Sequence, residues 1–297
     1  MDHGPLSERI IAVYDALSAQ LQAAARFVLE QPHDVALLSM REQARHAGVQ
    51  PATMTRLAKH LGLDGYERVR ELYADAVRGG DLASGFAGRA DAQVVSQKAK
   101  GDKALAADIL RSIADQIDRL GDPRSLDRIV AAAAALAAAR RVFCLGLRSS
   151  HSAAWHLHYM LSLIGERSIH LDGIAATGQD VLAGADERDV LLVASVRPYT
   201  RMTVELAGYA AGRGASIVAI TDSEVAPLAQ AADHAVIVST HSPSFFHSMS
   251  PAFAVAEVLG ALVAGRGGDE ALAALRRKDA HLAALNTHLA PRQARPS

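Results

Sequence analysis

Two short stretches of this 297-residue chain combine glycine, hydroxyls and arginine in a way suited to holding an anion. The first is Gly146-Leu147-Arg148-Ser149-Ser150-His151-Ser152, and the second is Ser195-Val196-Arg197-Pro198-Tyr199-Thr200. Each follows a short apolar run and opens a stretch of helical periodicity. That context matters because the first N–H groups of a helix lack internal partners and lie at the positive end of its dipole. An arginine adds a forked, permanently charged donor that fits phosphate or carboxylate. Candidate ligand residues are therefore Gly146, Arg148, Ser149 and Ser150 in the first loop, and Ser195, Arg197, Tyr199 and Thr200 in the second. The simpler alternative is that Ser149, Ser150 and Thr200 only cap helices. Two matched loops favour a small anionic ligand instead. A third loop, Thr221-Asp222-Ser223, offers an aspartate that accepts from a hydroxyl or caps a helix, and Asp172-Gly173 closes the pocket or simply turns the chain.

A different chemistry lies upstream, between Ser39 and Leu61. Ser39 and Glu42 have the spacing of a capping box, which starts a helix at Met40. Gly48 supplies a positive φ to end it, and Pro51 suits the first position of the next helix. Two helices about a tight glycine turn make a helix-turn-helix, whose second helix carries Thr53, Thr55, Arg56, Lys59 and His60. Arg41, Arg45, Arg56 and Lys59 stand against only Glu42 between residues 41 and 60, a local net charge of +3. The competing reading is an ordinary pair of antiparallel helices, or a protein-interaction module.

The elements that must position these groups change character along the chain. Residues 6–30 are helical by periodicity, with a restart at Ser18 and Pro32 closing the segment; residues 66–78 form a further helix. Residues 79–101 are rich in glycine and read as a linker, with a helical piece over 90–100. Helices follow over 103–119 and, capped by Ser125, through the alanine run 131–135. From Arg141 onward, apolar runs at 142–145, 190–194, 217–220 and 235–238, with a weaker one at 169–171, alternate with helical stretches. That alternation means a parallel sheet covered on both faces. Closing helices are expected over 250–265 and 268–289.

Composition bounds the reading. Net charge is −1, so any surface for nucleic acid is a local patch. Cys144 is the only cysteine, which excludes an intramolecular disulfide and fits a small buried apolar residue. No apolar run is long enough for a membrane span, and the N-terminus is unlike a signal sequence; a cytoplasmic protein with no membrane contact is expected. His151, His156 and His158 share one helix but lack the His-x-x-x-His spacing and a carboxylate partner, so neither a metal site nor any other cofactor is expected.

Residues 141–265 resemble a sugar isomerase (SIS) domain, the phosphosugar-binding α/β module. Its first loop, Gly-x-Gly-x-Ser, is matched by Gly146 and Ser150, with Arg148 in place of the second glycine. Its second, Ser-x-Ser-Gly-x-Thr, is matched by Ser195 and Thr200, with Arg197 and Pro198 replacing Ser-Gly. The run Ala219–Ser223 followed by Pro227–Ala229 is also typical. Joined to the helix-turn-helix, this resembles the RpiR/MurR family of bacterial transcriptional regulators, whose recognition helix is similar to Val49–Leu57 and whose following turn is similar to Leu61–Tyr66. The resemblance implies a multi-domain α/β protein. An all-α helix-turn-helix domain would span residues 1–78, a linker and connecting helix 79–124, and a SIS-type domain with a central parallel sheet flanked by helices 125–297. It implies DNA contacts from Arg41, Arg45, Gln50, Thr53, Thr55, Arg56, Lys59 and His60, and no catalytic residue. The implied partners are a double-stranded DNA operator, a small anionic sugar-like effector and further copies of the chain, as a homodimer or homotetramer. The two arginine replacements leave room for a different anion from a simple phosphosugar, or for tighter phosphate binding. The rival is an aldose–ketose phosphosugar isomerase. Such enzymes need a base, often a glutamate after the fourth strand, and the stretch His241–Ser248 has no carboxylate; His241 and His247 are its only titratable groups.

Overall fold

The computed structural model describes residues 4–78, 85–172, 177–224 and 226–289. Gly79 and Gly80 of the expected linker, and Gly173, lie outside the described residues. The chain divides into two compact units. One comprises Met1–Asp115, Ser223–Ala226 and Thr240–Ser248, and the other Gln116–Asp222, Pro227–Ser239 and Met249–Ser297.

The first unit begins with six helices: α1 (Gly4–Val13), α2 (Ala19–Glu30), α3 (Pro32–Leu37), α4 (Met40–His46), α5 (Pro51–His60) and α6 (Tyr66–Arg78). Helix α2 stops at Glu30, ahead of Pro32 as expected, and Pro32 also opens α3, because a missing N–H is harmless at the first helical position. The core gathers Ile10, Val28, Val35, Met54, Leu57 and Val69. Gln43 is its polar centre. Fully buried, it donates from Nε2 to the carbonyls of Val35 (3.0 Å) and Leu38 (2.8 Å), and its Oε1 accepts from the Tyr66 hydroxyl at 2.7 Å. Burial pushes the Tyr66 phenol above its ordinary pKa, so it remains a donor. The expected linker is helical from Gly85: α7 (Gly85–Lys100) stacks Phe86 on Phe246 at 5.5 Å, and Gln93 Oε1 accepts from the Phe245 N–H at 2.8 Å. The next helix is α8 (Asp102–Arg119).

The second unit holds α9 (Pro123–Ala138), which is capped by Asp122, not Ser125: the Asp122 carboxylate accepts from the N–H groups of Arg124 and Ser125. Five parallel strands follow, β1 (Val142–Gly146), β2 (Ser168–His170), β3 (Val190–Ala194), β4 (Ser216–Thr221) and β5 (His234–Ile237), in the order β2-β1-β3-β4-β5. Between them lie α10 (His151–Leu163), α11 (Arg201–Gly212) and α12 (Pro227–Ala231). Successive side chains alternate between two apolar layers. Val142, Cys144, Leu192 and Val218 pack toward α9, α10 and the final helix α13 (Ser250–Ala284), while Phe143, Leu145, Leu191 and Ile217 pack with α11 and α12. The two expected closing helices are present: α13 (Ser250–Ala284) is two helical segments that meet at Gly268, whose φ of 50° and ψ of −131° are non-helical. Among the described residues no helix is long and apolar enough to cross a membrane.

The amino edge of this sheet is closed by a charge cluster. Asp189, inaccessible to solvent, accepts from Arg140 (Nε 3.0 Å, Nη2 2.6 Å) and from Arg141 (Nε 3.2 Å, Nη2 2.7 Å). Burial opposes ionisation of Asp189, but the two guanidinium groups outweigh it and hold the carboxyl well below the usual range. Arg188 pairs with Asp186 at 2.8 Å, and that carboxyl is lowered to about 2.

Candidate functional site

The upstream hairpin has the local chemistry that its sequence dictates. Ser39 Oγ accepts from the Glu42 N–H at 3.3 Å, and the Glu42 carboxylate accepts from the Ser39 N–H at 3.0 Å. Gly48 has φ +68°, and Pro51 opens α5. Arg41, Arg45, Gln50, Arg56, Lys59 and His60 are all exposed. The hydroxyl residues behave differently. Thr53 is 1% exposed and faces the core beside Met54 and Leu57, so it is not on the surface offered to DNA. Its Oγ1 accepts from Arg56 Nη2 at 3.1 Å and thereby orients that guanidinium. Thr55 is half-buried, its hydroxyl directed to Met40 Sδ at 3.7 Å.

In the second unit, strand order reverses between β1 and β3. The connection from β1 leads outward to β2, while β3, β4 and β5 proceed the other way. Parallel sheets bind ligands in the crevice outside the carboxyl ends of strands at such a reversal. Register sets Gly146 beside Ala194, so the two loops singled out by sequence leave neighbouring strand ends. A Cβ on Gly146 would collide with the Ser150 carbonyl oxygen; only glycine lets the first turn after β1 press this close. Arg148 holds a left-handed φ of 56° and is exposed. The residue in the resemblance's glycine position thus keeps the glycine-like backbone and adds a cation above it.

Ser150 and Ser195 are each 3% exposed. Ser150 and Thr200 stand at the N-cap positions of α10 and α11, yet neither side chain makes a capping hydrogen bond. Capping alone therefore does not account for them. Ser149 directs its carbonyl to the Ser152 hydroxyl at 3.1 Å. Ser195 gives its N–H to the Ile220 carbonyl at 3.0 Å, continuing the sheet one residue beyond β3. Tyr199 is half-buried in the same loop, and the Arg197–Pro198 peptide is cis.

The sequence placed no carboxylate at Arg197; the structure places one there. Both the backbone N–H and Nε of Arg197 approach Asp222 Oδ2 at 3.4 Å, long for charge-assisted bonds. Asp222 Oδ1 is buried without a hydrogen-bond partner among the described residues. Asp222 follows β4, and the pairing of Ala194 with Ile220 carries it to the second loop. The signal available in the sequence was only its position after a predicted strand. Among the other histidines considered, His156 stacks on Phe253 with ring centroids 4.0 Å apart, and His247 is buried with its ring on Phe246 at 4.4 Å.

Comparison with known proteins matches both halves. A helix-turn-helix domain of the rpiR family is matched over residues 5–76, and a SIS domain over residues 135–262. The chain is similar to the HTH-type transcriptional regulator HexR of Pseudomonas aeruginosa, 27% identical over 229 residues and 76% of each chain. The sugar isomerase domain of an RpiR transcription factor from Sphaerobacter thermophilus is 30% identical, with TM-score 0.55, covering 59% of this chain and 98% of that one. The Vibrio vulnificus NanR protein complexed with ManNAc-6P shares the fold across 94% of this chain and 98% of its own, with 22% identity and TM-score 0.52. An rpiR-type helix-turn-helix followed by a SIS domain makes this chain a member of the RpiR family of helix-turn-helix transcriptional regulators.

Proposed function

We propose that the protein binds a duplex operator through α5 and releases or tightens it in response to a small anionic sugar derivative, a sugar phosphate, held at the carboxyl edge of its sheet. The observation that carries the effector half is the juxtaposition of Gly146–Ser150 and Ser195–Thr200 at the strand-order reversal, with hydroxyls that are not used as caps. The ManNAc-6P in the NanR complex supports the ligand class. Arg148, Ser149, Ser150, Ser195, Tyr199 and Thr200 would surround the anion, and Arg197 would bind it in competition with Asp222.

On the DNA side, Arg41, Arg45, Arg56 and Lys59 supply phosphate or base contacts, with Gln50 and His60 at the ends of α5. Thr53 and Thr55 act from behind that surface. A patch of net +3 on a chain of net −1 gives modest attraction, so two copies in register are required. Paired recognition helices span half-sites roughly 34 Å apart. An effector shifts that spacing only through unequal affinity for the two arrangements. The protein acts as a regulator, with no isomerase step.

The test is duplex binding with fragments flanking its own gene. Affinity should fall steeply with salt, as counterions are released with a slope of about −0.9 per phosphate contacted. Arg56→Ala should cost about 1–3 kcal/mol of DNA affinity. No detectable binding at low salt sinks the reading, and turnover of an aldose phosphate to its ketose would favour the enzyme instead. A thermal-shift panel of sugar phosphates identifies the effector, since a ligand at 100 times its Kd adds about 2.7 kcal/mol.

A further inference from the structure

The carboxyl edge has a further component on the β2 side of the first loop. His151 opens α10 directly after Ser150, and its ring centroid lies 4.9 Å from that of His170, the last residue of β2. His158, two turns along the same helix, stacks on His170 from 5.5 Å. His151 therefore meets His170 next to the first loop, and His158 stacks behind His170, further from that loop, beside Ser168 at the start of β2.

His170 is the unusual member. Its side chain is 8% exposed, Nδ1 lies 3.9 Å from Asp172 Oδ2, and Nε2 is buried with no hydrogen-bond partner among the described residues. Buried polar atoms in folded proteins are nearly always satisfied, so an orphaned ring nitrogen beside a candidate site points to something that arrives later. The groups facing this cluster are few. Helix α10 contributes His151 and His158, and β2 contributes Ser168, whose Oγ is 2.9 Å from His158 Nδ1. Cys144 of β1 lies 3.7 Å from the same Oγ, and burial pushes its thiol up to about 12, so it stays neutral. Asp172 is the carboxylate. Burial holds His158 and His170 below their ordinary values, and the neighbouring rings depress His170 further, so both are neutral at pH 7 without ligand.

We propose that His151 and His170, backed by His158, form an imidazole wall of the effector site that takes up one proton when a phosphomonoester dianion binds. The inference rests on the effector reading above. The dianion and a proton from solvent enter together, and the proton resides on the imidazole cluster, between the bound phosphate and Asp172. The wall thereby selects a dianionic phosphomonoester over a monoanionic ester of the same shape, and binding strengthens as pH falls from 8 toward 6.5.

Isothermal titration of the full-length protein at pH 7 tests this. Glucose 6-phosphate, N-acetylmannosamine 6-phosphate and inorganic phosphate serve as probes, in buffers of different ionisation enthalpy. The expected result is a buffer-dependent heat equivalent to uptake of roughly half a proton or more. Glucose 6-sulfate should show weaker binding and no uptake. His170→Asn, and separately the exposed His151→Asn, should remove most of the uptake while circular dichroism stays unchanged. Heats independent of buffer overturn the proton-taking wall and leave the effector site standing. Uptake equal to wild type in both variants also overturns it, because the proton then resides elsewhere. No heat with any phosphate probe sinks the effector reading and this inference together.

Discussion

The two edges of the sheet carry similar residues and use them in opposite ways. At the amino edge, Arg140 and Arg141 both grip Asp189 through bonds of 2.6–3.2 Å, and Arg188 grips Asp186. At the carboxyl edge, Arg197 meets Asp222 at 3.4 Å, Asp222 Oδ1 has no hydrogen-bond partner among the described residues, and Arg148 is exposed. Ionic groups with saturated partners hold strands together. Ionic groups held by longer contacts beside helix N-termini can exchange those partners for a ligand. Composition does not separate the two edges; partner geometry does.

Substitutions should divide along that line. Asp189→Ala should have the largest effect on stability, about 1.5–3 kcal/mol, because it removes an inaccessible carboxylate shared by two guanidinium groups and leaves them only Asp186 and the Gly184 carbonyl. Chemical denaturation measures it, and effector affinity of the folded protein should not change. A small loss there would mean that the amino edge is not the clamp described. Arg197→Ala should do the reverse. Losing a charged hydrogen bond to the effector costs about 1.5–3 kcal/mol, or roughly 10- to 100-fold in Kd. Its effect on the melt should be the smaller of the two, since the pair it breaks is long at 3.4 Å, although Asp222, 8% exposed, loses that cation. Unaltered effector response would remove Arg197 from the site.

Acid offers a test that acts on the amino edge, along with the capping carboxylates Glu42 and Asp122, which are also held below their ordinary values. Asp186 and Asp189 have folded pKa values below their unfolded ones, so their stabilisation is complete above the ordinary aspartate value of about 3.9. It is lost as pH falls toward and below 2, the range of the Asp186 carboxyl. Unfolding midpoints measured from pH 5 to 2 should fall, and Asp189→Ala should flatten that dependence. The smallest effect belongs to Arg148→Gly. Relief of a left-handed non-glycine backbone contributes about 1 kcal/mol, and the extra chain freedom of glycine offsets about 0.5–1. The melt should therefore barely move, while effector binding weakens through loss of the cation.

What could be read from the sequence follows the range of the forces involved. The capping box at Ser39, the turn at Gly48 and the start at Pro51 act within a few residues, and each appears where its spacing places it. The apolar strands were readable because burial on both faces leaves no polar alternation. Contacts between distant residues were not. Gln43 meets Tyr66 across 23 residues, and Arg197 meets Asp222 across 25, through strand register that no local pattern encodes. His170 lies on a strand of three residues, the weakest of the five in sequence, so its meeting with His151 left no trace there. Thr53 is a different case. Its position four residues before Leu57 assigns it to the buried face, but its hydroxyl suggested the polar one. Helical phase was the better guide.

Gly146 has a consequence for how such a regulator changes over generations. Its missing Cβ admits the Ser150 turn, so a single substitution there would deform the whole crevice. Two residues on, Arg148 is exposed and already tolerates a backbone that favours glycine. On the proposed reading of the site, variation in the effector bound is expected at positions such as 148 and 197, on a scaffold pinned at 146. A lineage can acquire a new signal without rebuilding the helices that read its operator.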